Sequence, residues 1–141
     1  MQHARIDISQ ALDGEAVVFA CFDLDAKELS ASAHAVAATA AERFRTTPVS
    51  ADDVLELREL TALADELGEL TSGMRTVVMR PARLSAYRDA VAQFVATRDE
   101  AEWMREEDRE PLALLRGLLW PLEDLSTEAM RAALSPTPRP C

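Results

Sequence analysis

Two histidines, His3 and His34, and two cysteines, Cys21 and Cys141, are all the imidazole and thiol chemistry in the chain. Their spacing matches no His-Glu-x-x-His pattern, no Glu-x-x-His pair of the di-iron bundles and no cysteine–histidine ligand cluster, so no metal is expected. His34 falls about 140° from Leu29 at 100° per residue, which places it off the apolar stripe of its helix and reads as solvated. His3 lies in a start that reads as frayed. Cys21, inside "VVFACF", reads as a small core residue, and Cys141 as an exposed thiol after "SPTPRP".

The remaining chemistry is equally sparse. Gly14, Gly68, Gly73 and Gly117 are too dispersed to build a phosphate-cradling loop or a dinucleotide turn, and no cofactor is expected. No serine stands in a nucleophile elbow. The acids "DD" at 52–53 and "REEDRE" from Arg105 are explained by helix starts and solvated faces rather than by an acid and base pair. No catalytic residue emerges.

The elements that would carry a site are more informative. The 141 residues, 48% hydrophobic and 28% charged, suit one globular domain over residues 1–135 with a flexible tail at 136–141. No apolar run approaches the ~20 residues of a membrane span, and "MQHARIDIS" has no leader pattern, so the expectation is a soluble, cytoplasmic protein. Net charge is −10. Residues 1–70 hold fourteen acids against five bases, and the rest is nearly balanced. Such a field repels phosphate backbones, so nucleic acid is not an expected partner and neither is a membrane. Arg75, Arg80, Arg83 and Arg88, with no intervening acid, form the one basic run; pairing within the protein is the preferred explanation.

A shift of 55 positions sets "LSASAHAVAATAA" from Leu29 on "LSAYRDAVAQFVA" from Leu84. The same register sets "LRELTALADELGEL" from Leu57 on "LALLRGLLWPLEDL" from Leu112, without gaps. About fourteen identities over about forty positions argue for a tandem duplication. "AVVFACFDL" and "MRTVVMR", just before each copy, read as short strands. The expected unit is strand-helix-helix, one copy over about 16–71 and the other over about 72–126. The fold class is then mostly α (α+β), the copies packing about a pseudo-two-fold axis with a small antiparallel sheet; an all-α helical bundle is the alternative.

Upstream, Asp13-Gly14 signals a hairpin, although Ile8, Ala11, Leu12 and Phe19 would also suit a helix. The first helix runs over about 26–46 with Leu29, Ala33, Val36, Ala40 and Phe44 inward. The second starts at "SADD", with Ser50 capping Asp53 and a stripe of Leu57, Leu60, Leu63, Ala64 and Leu67. Gly73 closes it. Pro81 suits the first turn of the third helix, whose stripe is Leu84, Tyr87, Val91, Phe94 and Val95. Ser126 is expected to cap a separate short helix, "TEAMRAAL".

Trp120 and Pro121 break the repeat, since copy one has Asp65 and Glu66 there. Trp120 lies about 80° from Leu112, outside the leucine stripe and beside Arg116 and Asp124. Pro121 cannot donate to the Gly117 carbonyl, so a kink or break is expected. Either that kink folds Trp120 onto the N-terminal segment or the last helix, or Trp120 is a partner anchor. The functional expectation is a non-enzymatic protein-binding or regulatory protein with an acidic helical surface, engaging another protein or itself as a homodimer through Trp120, Arg116 and Asp124. The alternative is a small-molecule binder or enzyme with an apolar pocket between the copies, formed by Phe44, Tyr87 and Phe94.

Overall fold

The computed structural model describes residues 1–45, 50–70, 75–101 and 103–134, with the Phe44 side chain outside that description. Its order is β1 (Gln2–Gln10), β2 (Ala16–Leu24), α1 (Ala26–Arg45), α2 (Ala51–Glu69), β3 (Arg75–Met79), α3 (Pro81–Glu100) and α4 (Glu106–Leu134). The chain is mostly helical, with one antiparallel three-stranded sheet ordered β1-β2-β3.

The β1–β2 turn follows from Asp13-Gly14. Gly14 has φ +87°, where a side chain would be strained. Its amide donates to the Ala11 carbonyl at 2.9 Å, and the Glu15 amide donates to Asp13 Oδ1 at 3.0 Å. The helical alternative for this segment is thereby excluded, and Leu12 sits fully exposed at the tip. His3 is not frayed: it is part of β1, and its Nδ1 lies 2.9 Å from Asp23 Oδ2.

β2 alternates as a half-covered strand should. Val18, Ala20, Phe22 and Leu24 face the helices and are buried, while Phe19 and Asp23 point to the other side. Cys21 also lies on that second side and is nonetheless buried, its thiol donating to Asp7 Oδ2 at 3.3 Å. In β3, Val77 and Met79 point inward and Val78 outward. The β2–β3 register places Ala20 opposite Met79, Phe22 opposite Val77 and Leu24 opposite Arg75.

α1 opens on a reciprocal cap: the Glu28 amide donates to Asp25 Oδ1 at 2.8 Å and the Asp25 amide to Glu28 Oε1 at 3.1 Å. Its buried side is made of small residues, Ala31, Ser32, Ala35, Thr39 and Ala40, with Leu29 and Val36. This thin face lets α1 pack against α2, α3 and α4 at once. α2 is capped by Ser50, which accepts from the Asp53 amide at 3.2 Å, and buries Leu57, Leu60, Leu63 and Leu67. Gly73, expected to end α2, lies outside the described residues. α3 starts at Pro81 and buries Leu84, Tyr87, Ala90, Val91, Phe94 and Val95.

α4 departs from expectation. It is one helix of 29 residues containing both Pro111 and Pro121, with no break at Pro121 and no separate helix after Ser126. Ser126 is buried within it rather than capping anything. The reason is phase. Leu112, Leu115 and Leu118 before the proline and Leu122, Leu125 and Ala129 after it fall on one buried face. Each buried leucine contributes roughly 1.5–3 kcal/mol, so together they outweigh the ~3 kcal/mol that an internal proline costs. One continuous cluster of buried side chains draws on β2, β3 and all four helices.

Candidate functional site

The proline leaves Trp120 where the leucine register puts it, pointing outward. Trp120 is 78% exposed and does not fold back onto the N-terminal segment or onto later residues of α4. A shallow depression of about 200 Å³ lies beside it, lined by Trp120, Glu123, Asp124 and Thr127. Arg116, one turn earlier, is exposed and ion-paired with Asp99 of α3.

Helical geometry extends this patch along the whole element. Glu106, Glu110, Ala113, Gly117, Trp120, Asp124 and Glu128 succeed one another at intervals of three or four, and all are exposed. Ala113 and Gly117 make the stretch just before Trp120 low and open; nothing approaches a Cβ built on Gly117. Glu107 and Glu123 flank the acidic side, and the bases on this outer face are Arg109, Arg116 and Arg131. Trp103, before α4, is also 76% exposed.

At the start of α4 the structure assembles a polar group that sequence reasoning missed. His34 is not simply solvated: its Nε2 lies 2.7 Å from Asp108 Oδ1, and its ring meets the Phe94 ring edge-on at 5.6 Å. Asp108 is buried. Its other oxygen accepts from Arg98 Nε at 3.3 Å, and Arg98 Nη1 donates to Glu42 Oε1 at 2.6 Å while its guanidinium lies 4.3 Å from the Phe94 ring centroid. Burial pushes the Asp108 carboxyl up, but the hydrogen bonds from His34 and Arg98 and the Arg98 charge prevail and hold it below the usual carboxylate range. A signal for Asp108 existed, since it stands four and seven residues before Leu112 and Leu115, in the buried phase of α4.

Above this pair, a cleft of about 370 Å³ between α1 and α4 is lined by Lys27, Ser30, His34, Glu106, Glu107 and Glu110 among others. A buried carboxylate that orients an imidazole is a general-base arrangement. No serine or cysteine hydroxyl or thiol is hydrogen-bonded to His34 among the described residues. Nor does any group of three or more histidine, cysteine, aspartate or glutamate side chains among the described residues form a metal-binding cluster.

Tyr87 and Phe94 are fully buried. The Tyr87 hydroxyl is hydrogen-bonded to Ser32 Oγ, its ring lies 6.3 Å from Phe22, and burial raises its pKa well above the ordinary phenol value. Neither ring lines any of the clefts named here; both are packed core. The third residue grouped with them, Phe44, has its side chain outside the described set.

The arginine run divides. Arg83 pairs with Glu66 and Arg88 with Asp89, whereas Arg80 lies over the Phe19 ring at 5.5 Å. No helix among the described residues is long and apolar enough to cross a membrane. Comparison with protein-family models, with curated protein sequences and with solved structures finds no match to this chain.

Proposed function

We propose that the protein is a non-enzymatic binding module whose α4 outer face docks a basic helical segment of another protein, with Trp120 as the anchor. The carrying observation is the 78% exposure of Trp120 on a helix whose opposite face is completely committed to the core. Tryptophan is among the residues most enriched in binding hot spots. Charge selects the partner. Glu106, Glu110, Asp124 and Glu128 lie along this face with Glu107 and Glu123 at its margins, against three bases; Asp99 already pairs with Arg116 and Lys27 with Glu110. A second copy would bring the same excess of negative charge, which disfavours a homodimer through this face, whereas a Lys- and Arg-bearing helix finds complementary carboxylates and an indole for cation–π contact.

The test follows the fluorescence anisotropy of a dye-labelled synthetic amphipathic peptide helix, with lysine and arginine on one face, as the protein or its Trp120→Ala variant is added. Saturable binding, weakened by salt and reduced about thirtyfold or more by Trp120→Ala, is expected. Binding that is indifferent to Trp120→Ala, or no binding at low salt, overturns the reading.

We also infer that the chain is a tandem duplication packed about an approximate two-fold axis. Under the 55-residue offset, Phe22 and Val77 are equivalent positions, and they stand opposite each other in the β2–β3 pair. Ser32 and Tyr87 are equivalent and share a hydrogen bond. Arg43 and Arg98 are equivalent too: Arg43 reaches Glu56 of α2 and Gln93 of α3, and Arg98 reaches Asp108 of α4 and Glu42 of α1. Each arginine thus ties its own hairpin to the opposite copy. Duplication alone assigns no activity.

A further inference from the structure

Arg83 Nε is the one buried side-chain nitrogen or oxygen without a hydrogen-bond partner among the described residues. A buried N–H with no acceptor is costly and marks a place where an acceptor belongs. The Arg83 side chain, 30% exposed, lines a cleft of about 540 Å³ between α2 and the start of α3, which Arg58, Arg80 and Arg83 share with Leu55, Ala62 and Ala82. In a chain with 25 acids and 15 bases, arginines should find carboxylates easily. Arg83 does, through both terminal nitrogens to Glu66 at 3.0 and 3.1 Å. Arg58 and Arg80 have no carboxylate within 4 Å among the described residues, and Arg80 is held by Phe19 alone.

We propose that this cleft binds the phosphoryl group of a small organic phosphate monoester. The guanidiniums of Arg58 and Arg80 offer charge-assisted donors to the oxygens of such a group. Glu59 also faces the cleft and leaves its balance positive. Arg80 stands at the N-cap of α3 and makes no side-chain cap, so the first-turn amides beside the cleft add to the same preference. Leu55, 57% exposed, and the methyl groups of Ala62 and Ala82 give the carbon part of the ligand an apolar wall. The overall negative charge acts weakly here, because exposed charges beyond about 8–10 Å are screened at physiological salt. Arg75 and Arg88 do not line the cleft, so the arrangement suits one phosphoryl group rather than a polyanion track.

The experiment measures thermal stability and binding heat with phenyl phosphate, inorganic phosphate and benzoate at constant ionic strength. Phenyl phosphate is expected to raise the melting temperature most, with inorganic phosphate next. Arg58→Gln and Arg80→Gln, both at exposed positions, should each weaken phenyl phosphate binding about tenfold with an unchanged circular dichroism spectrum. Trp120→Ala should leave it untouched, which separates this site from the α4 surface. A shift equal to that given by chloride or benzoate, or one that survives both arginine substitutions, overturns the proposal.

Discussion

His34 and Asp108, 74 positions apart in the chain, meet at 2.7 Å and join α1 to the first turn of α4. Asp108→Asn keeps the shape but takes the charge from Arg98 and His34, and should cost about 1–3 kcal/mol in urea unfolding. The pH dependence has a defined sign. Because the folded carboxyl titrates below its unfolded value of about 3.9, its contribution is complete above that value and disappears as pH falls through the lower folded value. Acid unfolding monitored by circular dichroism should therefore begin at higher pH in Asp108→Ala than in the unaltered protein.

Ser32 and Tyr87 form a buried hydroxyl pair with little else to satisfy either partner. Ser32→Ala should destabilise by about 1–3 kcal/mol, since it strands a buried phenol, and Tyr87→Phe by a similar amount. The double variant should lose less than the sum of the two. A strictly additive double-mutant cycle would show that the hydroxyls do not depend on each other.

Trp120 and Leu122, two residues apart on α4, should respond in opposite ways. Trp120→Ala is expected within about 0.5 kcal/mol of the unaltered stability, as for most surface substitutions. Leu122→Ala should cost about 2–5 kcal/mol. A large loss from Trp120→Ala would mean that the indole packs in solution.

Pro121→Ala restores a donor to the Gly117 carbonyl inside a helix that already exists. It should stabilise by an amount approaching the ~3 kcal/mol propensity difference between alanine and proline, seen as a melting temperature several degrees higher. No gain would mean that the helix relaxes around the proline at no cost.

Local rules made much of this fold readable. The Asp13-Gly14 turn, the Ser50 cap, Pro81 at the start of α3 and the leucine stripes each depend on residues a few positions apart, and each is found where its pattern puts it. Two expectations failed for one shared reason, that tertiary packing outweighs local preference. Pro121 did not break α4 because leucines in the same phase continue beyond it. The angle of His34 to Leu29 puts its side chain in water, yet α4 brings a carboxylate to it from 74 positions along the chain. Trp120 was legible as an outward residue from the repeat register alone. The Arg58–Arg80–Arg83 cleft was not, because Arg58 belongs to α2 and only folding sets it beside the basic run.

The pairing of β2 with β3 also affects how the chain is made. When residues 1–70 have left the ribosome, β2 has β1 on one side and an open edge on the other, and that edge stays open until residues 75–79 follow. At about 5–20 residues per second, adding residues 71–79 takes roughly 0.5–2 s, an interval in which the strand edge is uncovered. Fourteen acids against five bases give this waiting half a charge of −9. Like charge of this size disfavours contact between two such segments, whereas the second half is nearly neutral.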